Sequence, residues 1–505
     1  MQYIKHIAKY EQQQAELKGW VANKRESKGL VFLTLRDGSG FLQCVISEEV
    51  VGAEHFEAAR KLTLESSLAL NGTVVKDEKQ EGGYELQVNS LSVYQYSEEY
   101  PIAKKAHGVE FLMDNRHLWL RSKRQWAIMR IRNSVIFSVH KFFQERDFVN
   151  FDSPIFTCNA AEGSTTLFET EYYGQPAYLA QTGQLYGEAG AMAQGKIYTF
   201  GPTFRAEKSK TRRHLSEFWM IEPEMAFYDL DMNMDLIEDF IRTIIKDTIK
   251  SCANELEVLG RDITVFEKIG QPFPRITYAD AVKIIKGEQE VAGKNAITMQ
   301  EEDYQNLLDK IKTCEAEIVE RQAVVDDQNA KKGVKNFNRS KVDQLKQDIK
   351  DLTEQSENIP QWIEAAKNFK HGEDFGGSDE TVLTRLFATP VMVYNWPAAF
   401  KAFYMKRVEG DDTLVKGVDC LAPEGYGEIV GGAERETNLA YLLERIEHEG
   451  LNEEDFKWYN ELRKYGSVPH SGFGLGLERL ISWICKLKHI RESIPFPRLY
   501  GRLNP

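Results

Sequence analysis

The sequence lacks the features that would place the chain in a membrane or cross-link it covalently. It contains no run of 18 apolar residues, and its first segment, MQYIKHIAKYEQQQ, has no apolar core of the kind found in secretory signals. The cysteines form no CxxC pair and have no histidine at a zinc-ligand spacing; they are Cys44, Cys158, Cys252, Cys314, Cys420 and Cys485. We therefore expect no structural zinc, no disulfide framework, no membrane partner and a reducing, cytoplasmic setting.

Positive charge is also scarce for a protein that would bind nucleic acid. The chain has 64 Lys and Arg against 77 Asp and Glu, a formal net charge of −13. Phosphate contacts supply much of the affinity for nucleic acid, so only local basic patches are consistent with that role. Two clusters qualify: Lys24, Arg25 and Lys28, and Lys208, Lys210, Arg212 and Arg213. Either cluster is equally consistent with a solvated surface.

Length and composition predict a folded protein of more than one domain. The 505 residues are 42% hydrophobic and 28% charged, which excludes disorder of the whole chain. Residues 1–98 contain short alternating runs, such as LVFLTLRDGSGFLQCVI, separated by DG and GG turn signals. Five such strands predict a small closed barrel such as an OB-fold, although a barrel without a nucleic-acid role stays open. Residues 99–122 are expected to be a linker.

Residues 123–505 are expected to form a larger domain of mixed helices and strands. Between 123 and 147 the apolar residues lie mostly at helical spacings, which predicts an amphipathic helix. These residues are Trp126, Ile128, Ile131, Val135, Phe137, Val139 and Phe142. Strand-like runs follow, then a helical run from 230 to 258, and then more strands around 390 to 433.

Residues 288–360 differ from the rest of the chain because they are rich in Gln, Lys, Glu and Asp and nearly without aromatics. Apolar residues recur there at steps of three and four in two runs, which are Tyr304, Leu307, Ile311, Cys314 and Ile318, and Val342, Leu345, Ile349 and Leu352. A polar stretch with Gly333 separates the runs. We predict an inserted helical hairpin that needs no burial against the core, with a flexible linker as the alternative.

The segment FRAE places Arg205 two residues before Glu207, and a basic loop follows it through His214 to the run EFW. An arginine at the end of a strand offers a fixed charge for a phosphate, and a cationic loop offers mobile charges for a leaving pyrophosphate. FRAE alone is short and is also consistent with a structural ion pair.

Near the end of the sequence, GFGLGLERL opens an amphipathic helix and places Arg479 in its first turn. Small residues let the backbone approach a ligand, and an arginine at this point can lie flat over a base. The segment does not begin a βαβ unit with an acidic residue about twenty positions later, and it is not GxxxxGK[ST]. These features disfavour a dinucleotide-binding fold and exclude a P-loop.

Three segments resemble in order and spacing the three motifs of class II aminoacyl-tRNA synthetases: FDSPIFT with Pro154, FRAE through EFWMIEPE, and GLGLER. The β-rich beginning followed by RHLWLR is similar to the subgroup for aspartate, asparagine and lysine, and only the hairpin lies outside the resemblance. It implies an α+β fold, with an OB-fold anticodon-binding domain at residues 1–98 and a class II catalytic domain, an antiparallel sheet flanked by helices, at residues 123–505. It also implies a homodimer whose interface includes a strand around Pro154.

Within the subgroup, GQLYGEAGAM, FYMKR, GEIVGGAERE and IPFPR resemble the asparagine-specific members. Asparagine, ATP and tRNA(Asn) are thus the implied substrates. Aspartate-specific relatives carry a lysine at the position of Gly187, whereas here that charge is absent and Glu188 follows. A carboxylate accepts hydrogen bonds from an amide NH₂ and repels a substrate carboxylate, so Glu188 is expected to contact the amino acid and favour asparagine.

The same resemblance implies a role for each residue of the nucleotide site. Arg205 would hold the α-phosphate, Glu207 the amino edge of adenine, and His214 the γ-phosphate. Phe218 and Arg479 would sandwich the adenine ring. A buried ion pair or a core aromatic is the structural alternative for each of these side chains.

For the other ligands, the resemblance implies that Glu428 holds Mg²⁺. It places Glu162 and Gln184 near the α-amino group of the substrate and Arg435 near its polar end. In the barrel, Phe32 and Gln43 match positions that stack on and hydrogen-bond an anticodon base, and the nearby Arg25 is a candidate for holding the RNA backbone. Phe32 as a core residue of the barrel stays open.

The implied reaction activates asparagine with ATP and then transfers it to tRNA. The nucleophile of the first step is already an anion, so positioning and charge neutralisation by Arg205 and Arg479 suffice without a general base. The alternatives are an aspartyl-tRNA synthetase, a tRNA-independent ligase that forms asparagine, and a non-catalytic tRNA-binding paralogue.

Overall fold

The computed structural model describes residues 2–102, 107–158, 167–209 and 211–505. The chain divides into two compact units between Ser122 and Lys123, with the terminal Pro505 grouped with the first unit. No helix among the described residues has both the length and the apolar character of a membrane span.

The first unit is a closed barrel with the strand order β1-β2-β3-β5-β4, as the sequence predicts. Its strands are β1 (Gln14–Ser27), β2 (Leu30–Arg36), β3 (Phe41–Ser47), β4 (Ser67–Lys76) and β5 (Tyr84–Gln95). Alternate residues of each strand point inward, so Leu17, Leu33 and Cys44 fill the interior while their neighbours face outward. Helix α1 (Glu48–Lys61) connects β3 to β4, and α2 (Val109–Asp114) and α3 (Arg116–Trp119) follow the barrel.

The second unit is built on a large, mostly antiparallel sheet with the order β12-β13-β15-β16-β17-β11-β10-β6, in which β14 also pairs with β15. Its strands are β6 (Val149–Asn150), β10 (Lys196–Phe204), β11 (Glu217–Ala226), β12 (Arg275–Thr277), β13 (Val391–Pro397), β14 (Arg407–Val408), β15 (Asp411–Ala422), β16 (Gly427–Glu434) and β17 (His470–Gly476). A small separate sheet contains β7 (Phe156–Thr157), β8 (Glu169–Tyr172) and β9 (Gln175–Leu179). Pro154 lies between β6 and β7 and not in a strand, which corrects the expectation for that residue.

The second unit also contains α-helices. They are α4 (Lys123–Gln144), α5 (Gln184–Gln194), α6 (Leu230–Ser251), α7 (Ala253–Val258), α8 (Tyr278–Ile285), α9 (Ala296–Asp326), α10 (Lys332–Ser356), α11 (Ile359–Lys367), α12 (Gly377–Arg385), α13 (Leu439–His448), α14 (Lys457–Glu461) and α15 (Leu477–Ile484). The predicted helix after residue 123 is confirmed as α4. Its residues Ile131 and Val135 pack with Ile241 of α6 and Ile221 of β11 in the main core.

The sheet face opposite this core carries polar side chains. In β11, Ile221 and Met225 point into the core, whereas the alternate residues Glu222 and Glu224 point to the other face. These carboxylates are almost fully buried although they are charged groups. Buried acidic residues in a strand indicate a ligand site on this face of the sheet.

The helices α9 and α10 pack against each other and are joined by residues 327–331. The predicted seam residues Val342 and Leu345 are buried. Gly333 lies inside α10, so the turn comes earlier than the sequence indicates. The expectation that the hairpin needs no burial against the core is wrong at its base, because Ala296 in the first turn of α9 is 0% exposed and belongs to a core cluster with Tyr278 of α8.

Candidate active site

A cleft opens where β15, β16, β17, β11 and β10 lie side by side. Its first part is lined by Arg205, Glu207, Arg213, His214, Leu215, Phe218, Met220, Glu428, Ile429, Gly474, Gly476, Glu478, Arg479 and Ile490. The residues that line its second part include Gln184, Glu222, Glu224, Lys401, Tyr404, Asp419, Gly431 and Arg435. Arg205, Met220, Glu428 and Gly474 line both parts. The two parts therefore form one continuous site.

Arg479 and Phe218 both line the first part of the cleft. Arg479 lies in the first turn of α15 and donates from Nη1 to the Glu428 carboxylate at 2.9 Å and to the Glu428 carbonyl at 3.0 Å. Phe218 packs against a small cluster that contains Leu215 and Ile490. A planar cation held by two acceptors and a supported aromatic ring on the walls of one pocket are suited to binding a flat base.

Arg205 follows directly after β10, where the strand ends at the boundary between the two parts of the cleft. Its guanidinium carbon lies 5.6 Å from the centre of the Phe218 ring. Its Nε is buried, and no group among the described residues accepts a hydrogen bond from it. A buried donor without a partner costs free energy, so this nitrogen is placed to bind an anion that enters the cleft.

His214 and Glu207 lie close together at the outer end of the first part. The His214 Nε2 is 3.6 Å from the Glu207 carboxylate, and Nδ1 contacts the Thr211 hydroxyl. Burial and the charge of Arg479 lower the pKa of His214, although Glu207 opposes the shift. The imidazole is therefore mostly neutral at pH 7, and an arriving phosphate would favour its protonation.

Arg213 is anchored more firmly than its place in a basic loop predicts. It donates to Glu380 at 3.1 Å, to Thr381 at 2.6 Å and to the Gly425 carbonyl at 2.5 Å. Glu380, whose carboxylate also accepts from the Glu428 amide at 3.1 Å, was not a candidate from the sequence because it lies on α12, far from the recognised motifs. Arg213 thus supplies a fixed cation to the cleft and not a mobile one.

Glu428 and Asp419 face the same space above Gly431. A Cβ built on Gly431 would lie 3.0 Å from the Glu428 Oε1 and 3.6 Å from the Asp419 Oδ1. Lys401 donates to Asp419 at 2.7 Å. Burial raises the pKa of Asp419, and the neighbouring Glu428 adds to this shift, while Lys401 opposes it. A cation between two carboxylates relieves their mutual repulsion.

The second part of the cleft contains a buried pair of Glu224 and Arg435. The Arg435 guanidinium donates to both carboxylate oxygens, with Nε at 3.2 Å from Oε2 and Nη2 close to Oε1. Both side chains are almost completely buried. Gly472 of the neighbouring strand makes room for the pair, because a Cβ at that position would lie 2.2 Å from the Glu224 Oε1. The pair presents an acceptor and a donor side by side, the complement of a carboxamide.

The cleft brings together Arg205, Glu207, His214, Phe218, Glu428 and Arg479, and comparison with known proteins shows the family of the chain. A family described as tRNA synthetases class II (D, K and N) matches residues 108–500, and a family described as OB-fold nucleic acid binding domain matches residues 15–94. The first match covers most of the chain. The chain belongs to the class II tRNA synthetases of the D, K and N group.

Similar proteins cover this class II synthetase almost from end to end. An asparagine–tRNA ligase from Symbiobacterium thermophilum is 45% identical over 503 residues, which are 99% of each chain. Another from Sorangium cellulosum is 46% identical over 97% of this chain and 95% of its own length. Among solved structures, the asparaginyl-tRNA synthetase of Pyrococcus horikoshii complexed with asparaginyl-adenylate has a TM-score of 0.81 at 35% identity, over 100% of this chain and 99% of that one.

Glu188 lies behind the wall of the cleft of this synthetase and is 0% exposed. Its carboxylate accepts from Tyr459 and Arg463 at 2.7 Å each, and it lies 2.9 Å from the His470 Nε2. Burial would raise the pKa of Glu188, but Arg463 and His470 outweigh burial and lower it. It also accepts from Gln184 at 3.1 Å. Glu188 is therefore outside the cleft, which corrects the expected direct contact, whereas Gln184 and Glu224 are among the residues that line it.

On the barrel, the predicted anticodon residues come together on the outer surface. Arg25 of β1 lies opposite Phe32 of β2, with its guanidinium carbon 4.6 Å from the ring centre. Arg25 also donates to the Gln43 side chain at 3.3 Å. Phe32 is half-buried on the outward face and is not part of the barrel core. An outward aromatic beside a cation and an amide is typical of a platform for an unpaired base.

Two sequence candidates cannot be placed. Glu162 and Lys210 lie outside the residues that the structure describes. The described residues contain no group of three or more His, Cys, Asp and Glu side chains arranged as a metal site.

Proposed function

We propose that this chain is an asparagine–tRNA ligase that activates asparagine with ATP and esterifies it to the 3′ end of tRNA(Asn). In the first step a carboxylate oxygen of asparagine attacks the α-phosphorus, the bond to the β-phosphate oxygen breaks, and asparaginyl-adenylate and pyrophosphate form. In the second step the ribose hydroxyl of the terminal adenosine attacks the acyl carbon and AMP leaves. The Glu224–Arg435 pair, buried in a cleft that continues into the nucleotide pocket, is the observation that carries this proposal.

Arg205 and Arg479 carry the charge stabilisation of the first step in this proposal. The unpartnered Nε of Arg205 meets the α-phosphate at the point where the two parts of the cleft join. Arg479 lies over the adenine and is held in place by Glu428. Arg479 is fixed by Glu428 before substrate binds, so it needs little reorganisation as charge moves to the pyrophosphate.

We further propose that Glu428 and Asp419 hold Mg²⁺ together with phosphate oxygens and water. The pair fits this ion because Mg²⁺ prefers oxygen ligands and usually takes only one or two carboxylates from the protein. The two carboxylates face the same space over Gly431, where the absence of a side chain leaves room. When bound, the ion would neutralise phosphate charge beside Arg205.

The proposed partners are tRNA(Asn), bound through its anticodon by Arg25, Phe32 and Gln43, and a second copy of this chain. Residues 1–98 would be the anticodon-binding domain, residues 99–122 a linker, and residues 288–360 an insertion in the catalytic domain. The exposed apolar residues Val149, Ile155 and Phe156, which are 41%, 43% and 50% exposed, support a homodimer contact near Pro154. We place the enzyme in the cytoplasm, where its substrates are found.

The substrate assignment is tested by ATP–pyrophosphate exchange with each of the twenty amino acids. We expect exchange to depend on asparagine and to be at least about a hundredfold weaker with aspartate, because a second carboxylate would face Glu224 in a closed site. Equal turnover of aspartate would identify the alternative, an aspartyl-tRNA synthetase. No exchange with any amino acid, together with intact tRNA binding, would identify the non-catalytic paralogue.

A shortened hairpin should retain the first step. Arg321 of α9 donates to Asn338 of α10 at 3.1 Å, so residues 311 and 348 lie opposite each other in the antiparallel pair. Replacing residues 312–347 with a short Gly/Ser linker should leave pyrophosphate exchange within about tenfold of the intact enzyme, since a short flexible loop adds little closure cost.

The matched control for this variant removes residues 290–358, including the buried Ala296 at the base of α9. That deletion should lower the thermal midpoint and the yield of folded protein, because it opens the core around Tyr278. Loss of exchange in a folded 312–347 variant would show instead that the outer hairpin shapes the active site.

A further inference from the structure

One flank of the hairpin helix α10 carries a line of cations that the active site does not use. Its members, named here the α10 basic stripe, are Lys332, Lys335, Arg339, Lys346 and Lys350. They follow one another at steps of three, four, seven and four, the spacing that keeps side chains on one side of a helix. At about 1.5 Å per residue the stripe is roughly 27 Å long.

The stripe is not neutralised by the protein. Within the described part of the chain, no carboxylate lies within salt-bridge distance of any of its members, whereas Lys312 and Arg321 on α9 pair with Asp309 and Glu317. All members except the half-buried Lys335 are exposed. Two exposed positions on the edge of this flank are Asn336 and the acidic Asp343. The flank therefore has no apolar contact surface for a protein partner, and its five cations outnumber the one carboxylate beside them.

The charges do not serve the stability of the helix. The first turn of α10 contains no acidic residue, and cations near the beginning of a helix oppose its dipole. Residues 331–342 hold five Lys and Arg and no Asp or Glu, in a chain with a formal net charge of −13. A local positive field on an acidic protein favours association with a polyanion.

We propose that the α10 basic stripe binds the phosphate backbone of the tRNA substrate. This inference rests on the proposed function, because the hairpin belongs to the same compact unit as the active site that acts on the 3′ end of the tRNA. A straight row of unpaired cations on a rigid helix can follow a backbone without reading bases. The stripe therefore adds affinity for tRNA that is independent of its sequence and sensitive to salt.

The test compares two variants that lose the same charge. The stripe variant is Lys335→Gln, Arg339→Gln and Lys346→Gln. The control is Lys250→Gln, Lys268→Gln and Lys310→Gln, three exposed cations outside the stripe and outside residues 331–342. Binding of transcribed tRNA(Asn) is measured by fluorescence anisotropy over a salt series, with the KM for tRNA in charging and the rate of asparagine-dependent pyrophosphate exchange.

We expect the stripe variant to raise Kd and KM for tRNA about tenfold and to reduce the slope of log Kd against log salt by roughly one for each cation removed. The control should retain the intact values, and a Lys335→Arg, Lys346→Arg variant should retain the slope. Equal slopes in the stripe variant and the control would overturn the proposal. The rate of pyrophosphate exchange should be unchanged in every variant. If the intact enzyme showed no exchange, the proposed function would be contradicted, whereas the proposed role of the stripe in tRNA binding would not.

Discussion

Replacing Arg205 with alanine should lower the rate of asparagine-dependent pyrophosphate exchange by about a thousandfold, as expected when a preorganised cation is removed from a phosphoryl transition state. Its Nε has no acceptor among the described residues, so the interaction that is lost is the one with substrate. Affinity for tRNA should change little, because the mutation removes a contact with the reacting phosphate and not with a remote partner.

Arg479→Ala should produce a similar loss with an added rise in the KM for ATP. This arginine lines the base pocket with Phe218 and also pairs with Glu428, so its removal weakens binding in the ground state as well as the transition state. Single-turnover measurement of adenylate formation separates the two effects. Near-normal exchange in both arginine variants would show that their assigned roles are wrong.

A control for the opposite effect, loss of tRNA binding without loss of exchange, is a substitution on the barrel. Arg25→Ala removes the cation that lies over Phe32, and it should weaken tRNA binding while leaving pyrophosphate exchange intact. If Arg205→Ala lowers only pyrophosphate exchange and Arg25→Ala lowers only tRNA binding, then the chemical step and tRNA recognition depend on different residues. Loss of exchange in the Arg25 variant would show that its effect is on folding and not on RNA.

The positions of Arg205 and Arg479 in the fold could be predicted from the sequence because both residues lie in continuous motifs. FRAE ends a strand and GLGLER begins a helix, so the positions of Arg205 and Arg479 follow from local structure. The alternation of β11 also places Glu222 and Glu224 on one face with Phe218. This alternation was the signal that could have identified Glu224, since acidic residues at every second position of a buried strand need a partner or a ligand.

The role of Glu188 could not be predicted from its position beside Gly187. Successive residues of a helix point about 100° apart, and only the packing of α5 decides which of them faces the cleft. A Cβ on Gly187 would lie 3.2 Å from the Glu224 Cγ, whereas Glu188 turns toward Arg463. Glu188 thus lies outside the cleft, and the carboxylate beside Gly187 that lines the cleft, Glu224, comes from β11.

For the hairpin, too, the sequence predicts local contacts but not tertiary ones. Heptad spacing predicts that Val342 and Leu345 are buried, because both partners of that seam lie within one segment. It does not predict that Ala296 joins a core cluster with Tyr278, since that contact depends on the tertiary position of α8. Local periodicity identifies contacts inside the insertion, and it carries no information about where the insertion meets the domain.

Replacing Glu224 with glutamine should remove the preference for asparagine. In the unmutated cleft a substrate amide can donate to Glu224 and accept from Arg435, whereas a substrate carboxylate satisfies Arg435 but places a second carboxyl group beside Glu224. Burial raises the pKa of Glu224 and the charge of Arg435 opposes that shift, so a further negative charge at this point is unfavourable. The glutamine amide can donate to a carboxylate, and Arg435 loses its counter-charge, so the pair becomes a site for aspartate. Asparagine loses its acceptor and should bind more weakly.

We therefore expect the ratio of kcat/KM for asparagine over aspartate in pyrophosphate exchange to fall from at least about a hundred to about one in Glu224→Gln, since like-charge contacts in closed sites cost several kcal/mol. The matched control is Glu188→Gln, which leaves Arg463 without its buried partner. It should lower the thermal midpoint and overall activity, because an uncompensated buried charge destabilises the folded protein. Asparagine should stay the preferred substrate, because this change does not alter the cleft. If the Glu188 variant were the one to accept aspartate, substrate choice would lie in the buried network of α5 and not in the cleft.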